Sequence, residues 1–121
     1  ASDVYKRQVQ TMAHYKFNLS DTNIHFLTGS AHKFHGPKGI GFLFIRKGLN
    51  VDTLIHGGGQ ERNKRAGTEN LYGIIGMAKA MDLAYSNLAE DKVYIQGLKN
   101  YFLTGLKRLF KNLRINGTLD E

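Results

Sequence analysis

Ser30-Ala31-His32-Lys33-Phe34-His35-Gly36-Pro37-Lys38-Gly39-Ile40-Gly41-Phe42-Leu43-Phe44-Ile45 is the stretch that decides how this chain is read. A turn of small residues with a lysine at its head runs straight into an apolar strand. That order places Lys33 at the mouth of a sheet, where an amine can be anchored and partly shielded from water. An amine attacks a carbonyl only when it is unprotonated, and shielding or a cationic neighbour favours that form. His32 and His35 stand on either side, and imidazoles exchange protons near neutral pH. Pro37, the only proline, fixes the turn, and Gly36, Gly39 and Gly41 let the backbone approach a bound group closely. Taken one residue at a time, the same stretch also reads as a solvated basic loop ahead of a strand.

Working outward, Ser20-Asp21-Thr22-Asn23 is turn chemistry. Residues 24–28 alternate and predict a short strand, and residues 41–46 predict a buried-type strand. Residues 51–55 read as extended. From Asn70 the period changes: Leu71, Ile74, Ile75, Ala78, Met81, Ala84 and Leu88 mark an amphipathic helix. After Glu90-Asp91 a second helical pattern runs through Leu98, Phe102, Leu106 and Leu109, weakened by Gly97 and Gly105. Ile115 reads as the start of a further strand.

Composition bounds the answer. The chain has 121 residues, 41% hydrophobic and 22% charged, which is globular in type. Its net charge of +7 is scattered, with only Arg62, Lys64 and Arg65 clustered. Without a basic stripe interleaved with aromatics, the signal for nucleic acid is weak, and an anionic cofactor accounts for part of the excess. With no cysteine there is no disulfide framework and no thiolate metal site. No stretch approaches the roughly 20 apolar residues of a membrane span. The expectation is a cytoplasmic protein with no nucleic-acid or membrane partner and no metal.

A second string, Gly57-Gly58-Gly59-Gln60-Glu61-Arg62-Asn63-Lys64-Arg65-Ala66-Gly67-Thr68-Glu69-Asn70, combines a glycine triplet with a basic segment. Consecutive glycines leave backbone N–H groups free to face an anion; the plain alternative is a mobile surface loop. Together, and in this order, the two strings resemble the pyridoxal-phosphate lysine segment and the following motif of the cysteine desulfurases, within the class V aminotransferase family. The resemblance covers nearly everything from Val9 onward.

The resemblance implies an α/β fold: a fragment of the aspartate aminotransferase-like fold of pyridoxal-phosphate-dependent transferases, with a mostly parallel sheet. Residues 9–89 would be the C-terminal part of the cofactor-binding large domain and residues 90–121 the start of the small domain. Residues 1–8 resemble translated sequencing adapter, a suspected non-native stretch set aside from the fold reading. Lys33 lines up with the Schiff-base lysine, and Ser30 and His32 with phosphate ligands; a hydroxyl and an imidazole on one turn can both donate to phosphate oxygens. Thr68 lines up with a threonine that reaches the phosphate of the partner subunit in a homodimer, and its other reading is the N-cap of the following helix. Gln10 lines up with a glutamine on the cofactor's phenolic oxygen, and otherwise reads as a polar strand-end residue. Arg65 is the better of the arginines for the phosphate or the substrate carboxylate. His35 and His56 have no assignment beyond structure or solvent.

The implied activity is release of sulfur from L-cysteine, giving L-alanine and an enzyme persulfide that passes sulfur to an acceptor such as an iron–sulfur scaffold protein. Two departures stand against activity of this chain by itself. Arg7 occupies the position of the family's pyridine-facing aspartate, and no cysteine is present to accept sulfur. A transaminase or lyase of the same family is the alternative within enzymes; a basic anion- or nucleic-acid-binding module is the alternative outside them.

Overall fold

The computed structural model describes residues 11–117 and the strand Tyr5–Arg7. Gln10 lies outside the described residues. The chain forms two compact units, Ala1–Leu88 and Ala89–Glu121.

The first unit is built on a three-stranded sheet in the order β1 (Tyr5–Arg7), β2 (Phe26–Ser30), β3 (Gly41–Ile45). β2 is central: it runs parallel to β1, with Arg7 opposite Thr28, and antiparallel to β3, with Ser30 opposite Gly41. Both strands expected around the lysine turn are therefore present, the first displaced two residues toward the turn. Ile24 lies outside the ladder but is buried in the core. Tyr5–Arg7, within the stretch suspected of being non-native, form β1 beside β2. Their backbone joins the ladder because pairing with a central strand uses main-chain groups, whatever the side chains. The mixed β1-β2-β3 pairing is one parallel and one antiparallel neighbour; residues 51–55 form no strand, and neither does Ile115.

Alternation on β2 turns Leu27 and Gly29 inward, and the ring of Phe42 lies directly over Gly29. Leu27 joins Met12, Ala13, Ile24, Ala31 and Phe34 in a buried cluster, and Met77, Ala80, Met81 and Ala84 of the long helix pack against it. These helix positions fall on one face, at the spacing an amphipathic helix needs.

The loop before β2 is closed by Arg46, just past β3. Its Nε donates to the Ile24 carbonyl at 2.8 Å, and one terminal nitrogen donates to the carbonyls of Leu19 and Thr22 at 2.7 and 2.6 Å. The guanidinium also sits 5.8 Å from the centroid of the Phe44 ring. Arg46→Ala takes a donor from three carbonyls, of which Thr22 keeps the Ile24 N–H, and should cost about 2 kcal/mol in urea unfolding. Arg46→Lys should recover only part, because an ammonium lacks the planar fork that spans them. A cost below about 0.5 kcal/mol, the range of plain surface changes, would show that water replaces the donor without penalty.

Helix α2 runs without a break over Leu71–Leu109, where the sequence suggested two helices. Glu90-Asp91 is acidic but contains no proline and no cap, and both residues are tolerated inside helices. Ser86, just upstream, satisfies its hydroxyl by bonding back to the Asp82 carbonyl at 2.9 Å, without leaving the helix. The last turn carries Lys107 and Arg108, which complement the helix dipole. In the second unit the helix leaves Tyr94, Tyr101 and Phe102 exposed. None of the helices among the described residues is long and apolar enough to cross a membrane.

Candidate functional site

A 3-10 turn, Ala31–Phe34, leaves the end of β2 and carries the lysine. With three residues per turn, Ala31 and Phe34 share one face, and both are buried. The same geometry sends His32 and Lys33 the other way; His32 is exposed and Lys33 half-buried. His35 ends the turn in the left-handed region, at φ 65°. The Gly36 N–H then donates to the Ala31 carbonyl at 2.8 Å, and the Ala31 N–H donates to the Ile40 carbonyl at 3.1 Å. The loop from residue 31 to residue 40 is thus pinned at both ends to one buried alanine.

Ser30 and His32 meet across this turn, with Ser30 Oγ 2.9 Å from His32 Nδ1. Lys33 is the next residue along. Among the described residues no ion pair joins a carboxylate to Lys33. A hydroxyl, an imidazole and an uncompensated amine therefore share one anchored turn. That set suits a ligand bearing a phosphate and an aldehyde: a hydroxyl–imidazole pair for the phosphate oxygens and one amine for the carbonyl. Pyridoxal phosphate has both groups, so the residues present fit it.

Arg65 and Thr68 stand on a second loop. Its short helical turn α1, Gln60–Asn63, contains left-handed residues Glu61, Arg62 and Asn63. The loop is tied to itself and to the preceding segment. Gln60 Oε1 accepts from the Gly67 N–H at 3.1 Å, Thr53 Oγ1 donates to the Asn63 carbonyl at 2.6 Å, and Lys64 Nζ donates to the Val51 carbonyl at 3.2 Å. Buried Ala66 donates its N–H to the Ile55 carbonyl at 3.1 Å. Arg65 spends a terminal nitrogen on the Ala66 carbonyl at 2.9 Å, a bond within its own loop. Thr68 is exposed.

Thr68 is not the N-cap of helix α2. Asn70 is: its Oδ1 accepts from the Gly73 N–H at 3.0 Å and its carbonyl from the Ile74 N–H at 2.9 Å. A cap must stand immediately before the first helical residue, Leu71, and Thr68 is too far upstream. The structure brings Ser30, His32 and Lys33 together; among the described residues no hydrogen bond joins them to Arg65 or Thr68. Sequence reasoning missed three residues that hold these loops: Gln60, Asn70 and Arg46. Asn70 was detectable, since asparagine directly ahead of a helical period is a start signal. Nothing around Arg46 or Gln60 in the sequence marks their partners.

The family description aminotransferase class-V matches residues 8–120. The chain belongs to this family. Among curated relatives, this class-V chain is 44% identical over 112 residues to a cysteine desulfurase IscS of Clostridium botulinum (strain Hall), covering 93% of the chain and 28% of the relative. Among solved structures it resembles a NifS-like protein at TM-score 0.78 and 46% identity, covering 84% of the chain and 28% of that protein. It also resembles a structure described as SspA in complex with cysteine, at TM-score 0.64 and 36% identity, covering 66% and 24% of the two chains. The expectation that the chain matches only part of such a protein holds: it spans little more than a quarter of these relatives' length.

Proposed function

We propose that this chain is the cofactor-lysine segment of a pyridoxal-phosphate-dependent cysteine desulfurase. The observation that carries the reading is the anchored turn on which Ser30, His32 and Lys33 stand together. The relatives named cysteine desulfurase, and the cysteine complex of a similar protein, support L-cysteine as substrate.

Ser30 and His32 would hold the phosphate, with the Ser30 hydroxyl and the imidazole N–H as donors. Lys33 would attach the cofactor through Nζ, and that amine, once released, would move the proton at the substrate's α carbon. The buried faces of Ala31 and Phe34 keep it in place. When bound, the cofactor supplies an electron sink for charge developing at that carbon. Thr68 would serve the phosphate held by the other subunit of a homodimer, Gln10 the phenolic oxygen, and Arg65 the phosphate or substrate carboxylate. Residues 9–89 would belong to the large domain and 90–121 to the small one.

In the net reaction the carbon–sulfur bond of L-cysteine breaks, an enzyme thiolate takes the sulfur as a persulfide, and protonation of carbon leaves L-alanine. The sequence contains no cysteine, so the accepting thiolate must come from outside these 121 residues. The persulfide would then pass sulfur to a scaffold for iron–sulfur clusters or a thio-cofactor, in the cytoplasm.

The test is product analysis of a full-length protein carrying this segment, supplied with pyridoxal phosphate, a reductant and L-cysteine. Equal amounts of sulfide and L-alanine are expected. Turnover of other amino acids without sulfide release would assign the segment to a transaminase or lyase of the same family.

A further inference from the structure

Helix α2 meets the loop from residue 31 to residue 40 at a point where it has no side chain. A Cβ placed on Gly76 would lie 2.7 Å from Pro37 Cγ and 3.2 Å from Pro37 Cδ, both closer than ordinary packing allows. The proline ring closes on its own backbone nitrogen, so it cannot yield without moving the main chain. The next residue toward the lysine is equally tight. A Cβ on Gly36 would lie 2.9 Å from Ala31 Cβ and 3.0 Å from the Ala31 carbonyl oxygen, to which the Gly36 N–H donates. Ala31 is wholly buried and opens the turn that carries Lys33. Two positions without room for a side chain therefore lie in series, Gly76 against Pro37 and Gly36 against Ala31. On the other side of the turn, Phe34 is held in the cluster against which Met77, the helix residue beside Gly76, is packed.

We propose that Gly76 is a positioning residue for Lys33: its missing side chain lets α2 seat Pro37, and Pro37 sets the turn from which the lysine projects. The inference rests on the reading of Lys33 as the cofactor lysine. Close-packed contacts transmit displacement instead of absorbing it. Within a helix, alanine is the better residue by propensity, so glycine at this position runs against that preference. Gly97 and Gly105 of the same helix have no atom within 4 Å of a built Cβ and impose no such requirement.

The test uses a full-length protein carrying this segment, pyridoxal phosphate as probe and borohydride reduction to fix the bound label, with mass spectrometry reporting its share on each lysine. In the unaltered chain Lys33 should carry most of the label. Gly76→Ala should lower the Lys33 share by about fivefold or more, the scale expected of an overpacked contact. Adding Pro37→Ala removes Cγ and Cδ and should restore at least half of it. Gly97→Ala should leave it unchanged. A Gly76→Ala chain labelled like the original overturns the inference, and so does a double variant as poor as the single one. An original chain with no preference for Lys33 overturns the cofactor reading itself.

Discussion

Lys33→Ala in the full-length protein should abolish both the absorbance of protein-bound cofactor and sulfide release from L-cysteine. The turn offers one primary amine, and Lys33 is its bearer. Lys38 shares the loop but lies past Pro37 and is exposed, beyond the segment that Ala31 and Phe34 hold rigid. Loss of the proton transfer alone is worth about 10²–10⁴-fold in rate, and loss of the covalent anchor adds to it. Lys33→Arg should fail as completely, because a guanidinium remains charged and does not condense with an aldehyde. Stability should change by no more than about 0.5 kcal/mol, since the side chain is only partly buried and stands outside the core cluster. A Lys33→Ala protein that kept the absorbance would place the cofactor on another lysine.

Phe34→Ala should be the most damaging single change to stability among the described residues. Phe34 is 1% exposed and is the largest fully buried side chain. Removing such a ring from a packed interior costs about 3–5 kcal/mol, part transfer and part cavity. That is a large share of the roughly 5–15 kcal/mol that holds a domain folded. Urea unfolding should show the midpoint falling with little change in slope. Because Lys33 and Phe34 are neighbours on one turn, the same variant should also weaken cofactor retention. Phe34→Leu should lose much less of both, within about 1.5 kcal/mol if the core repacks. A Phe34→Ala cost under about 1 kcal/mol would mean that the turn is not anchored by this ring.

Much of the first unit was legible because its signals are local. Alternation of apolar and polar residues marks β2, a continuous apolar run marks β3, and the small-residue turn between them marks the place of Lys33. The inward face of that turn follows from the three-residue period that joins Ala31 to Phe34. What could not be read depended on distant partners. Tyr5–Arg7 joins the sheet through main-chain pairing with residues 26–28, and no pattern in three residues announces that. Arg46 looks like any arginine after a strand until the carbonyls of Leu19, Thr22 and Ile24 converge on it. The continuity of α2 was misread because Glu90-Asp91 was weighed as punctuation, although neither residue breaks a helix. The N-cap offered as the other reading of Thr68 falls instead to Asn70, which stands next to the first helical residue. Gly76 carried no signal in the sequence; only its contact with Pro37 separates it from Gly97 and Gly105.

The central claim is that Lys33 is the lysine to which pyridoxal phosphate attaches. It is tested most directly by mapping the borohydride-fixed label on the unaltered chain, at a cofactor concentration low enough for lysines to compete. The account predicts that the peptide containing Ser30, His32 and Lys33 carries the label, and that free phosphate reduces it by occupying the Ser30–His32 donors. Label spread evenly over the exposed lysines, and indifferent to phosphate, would contradict it.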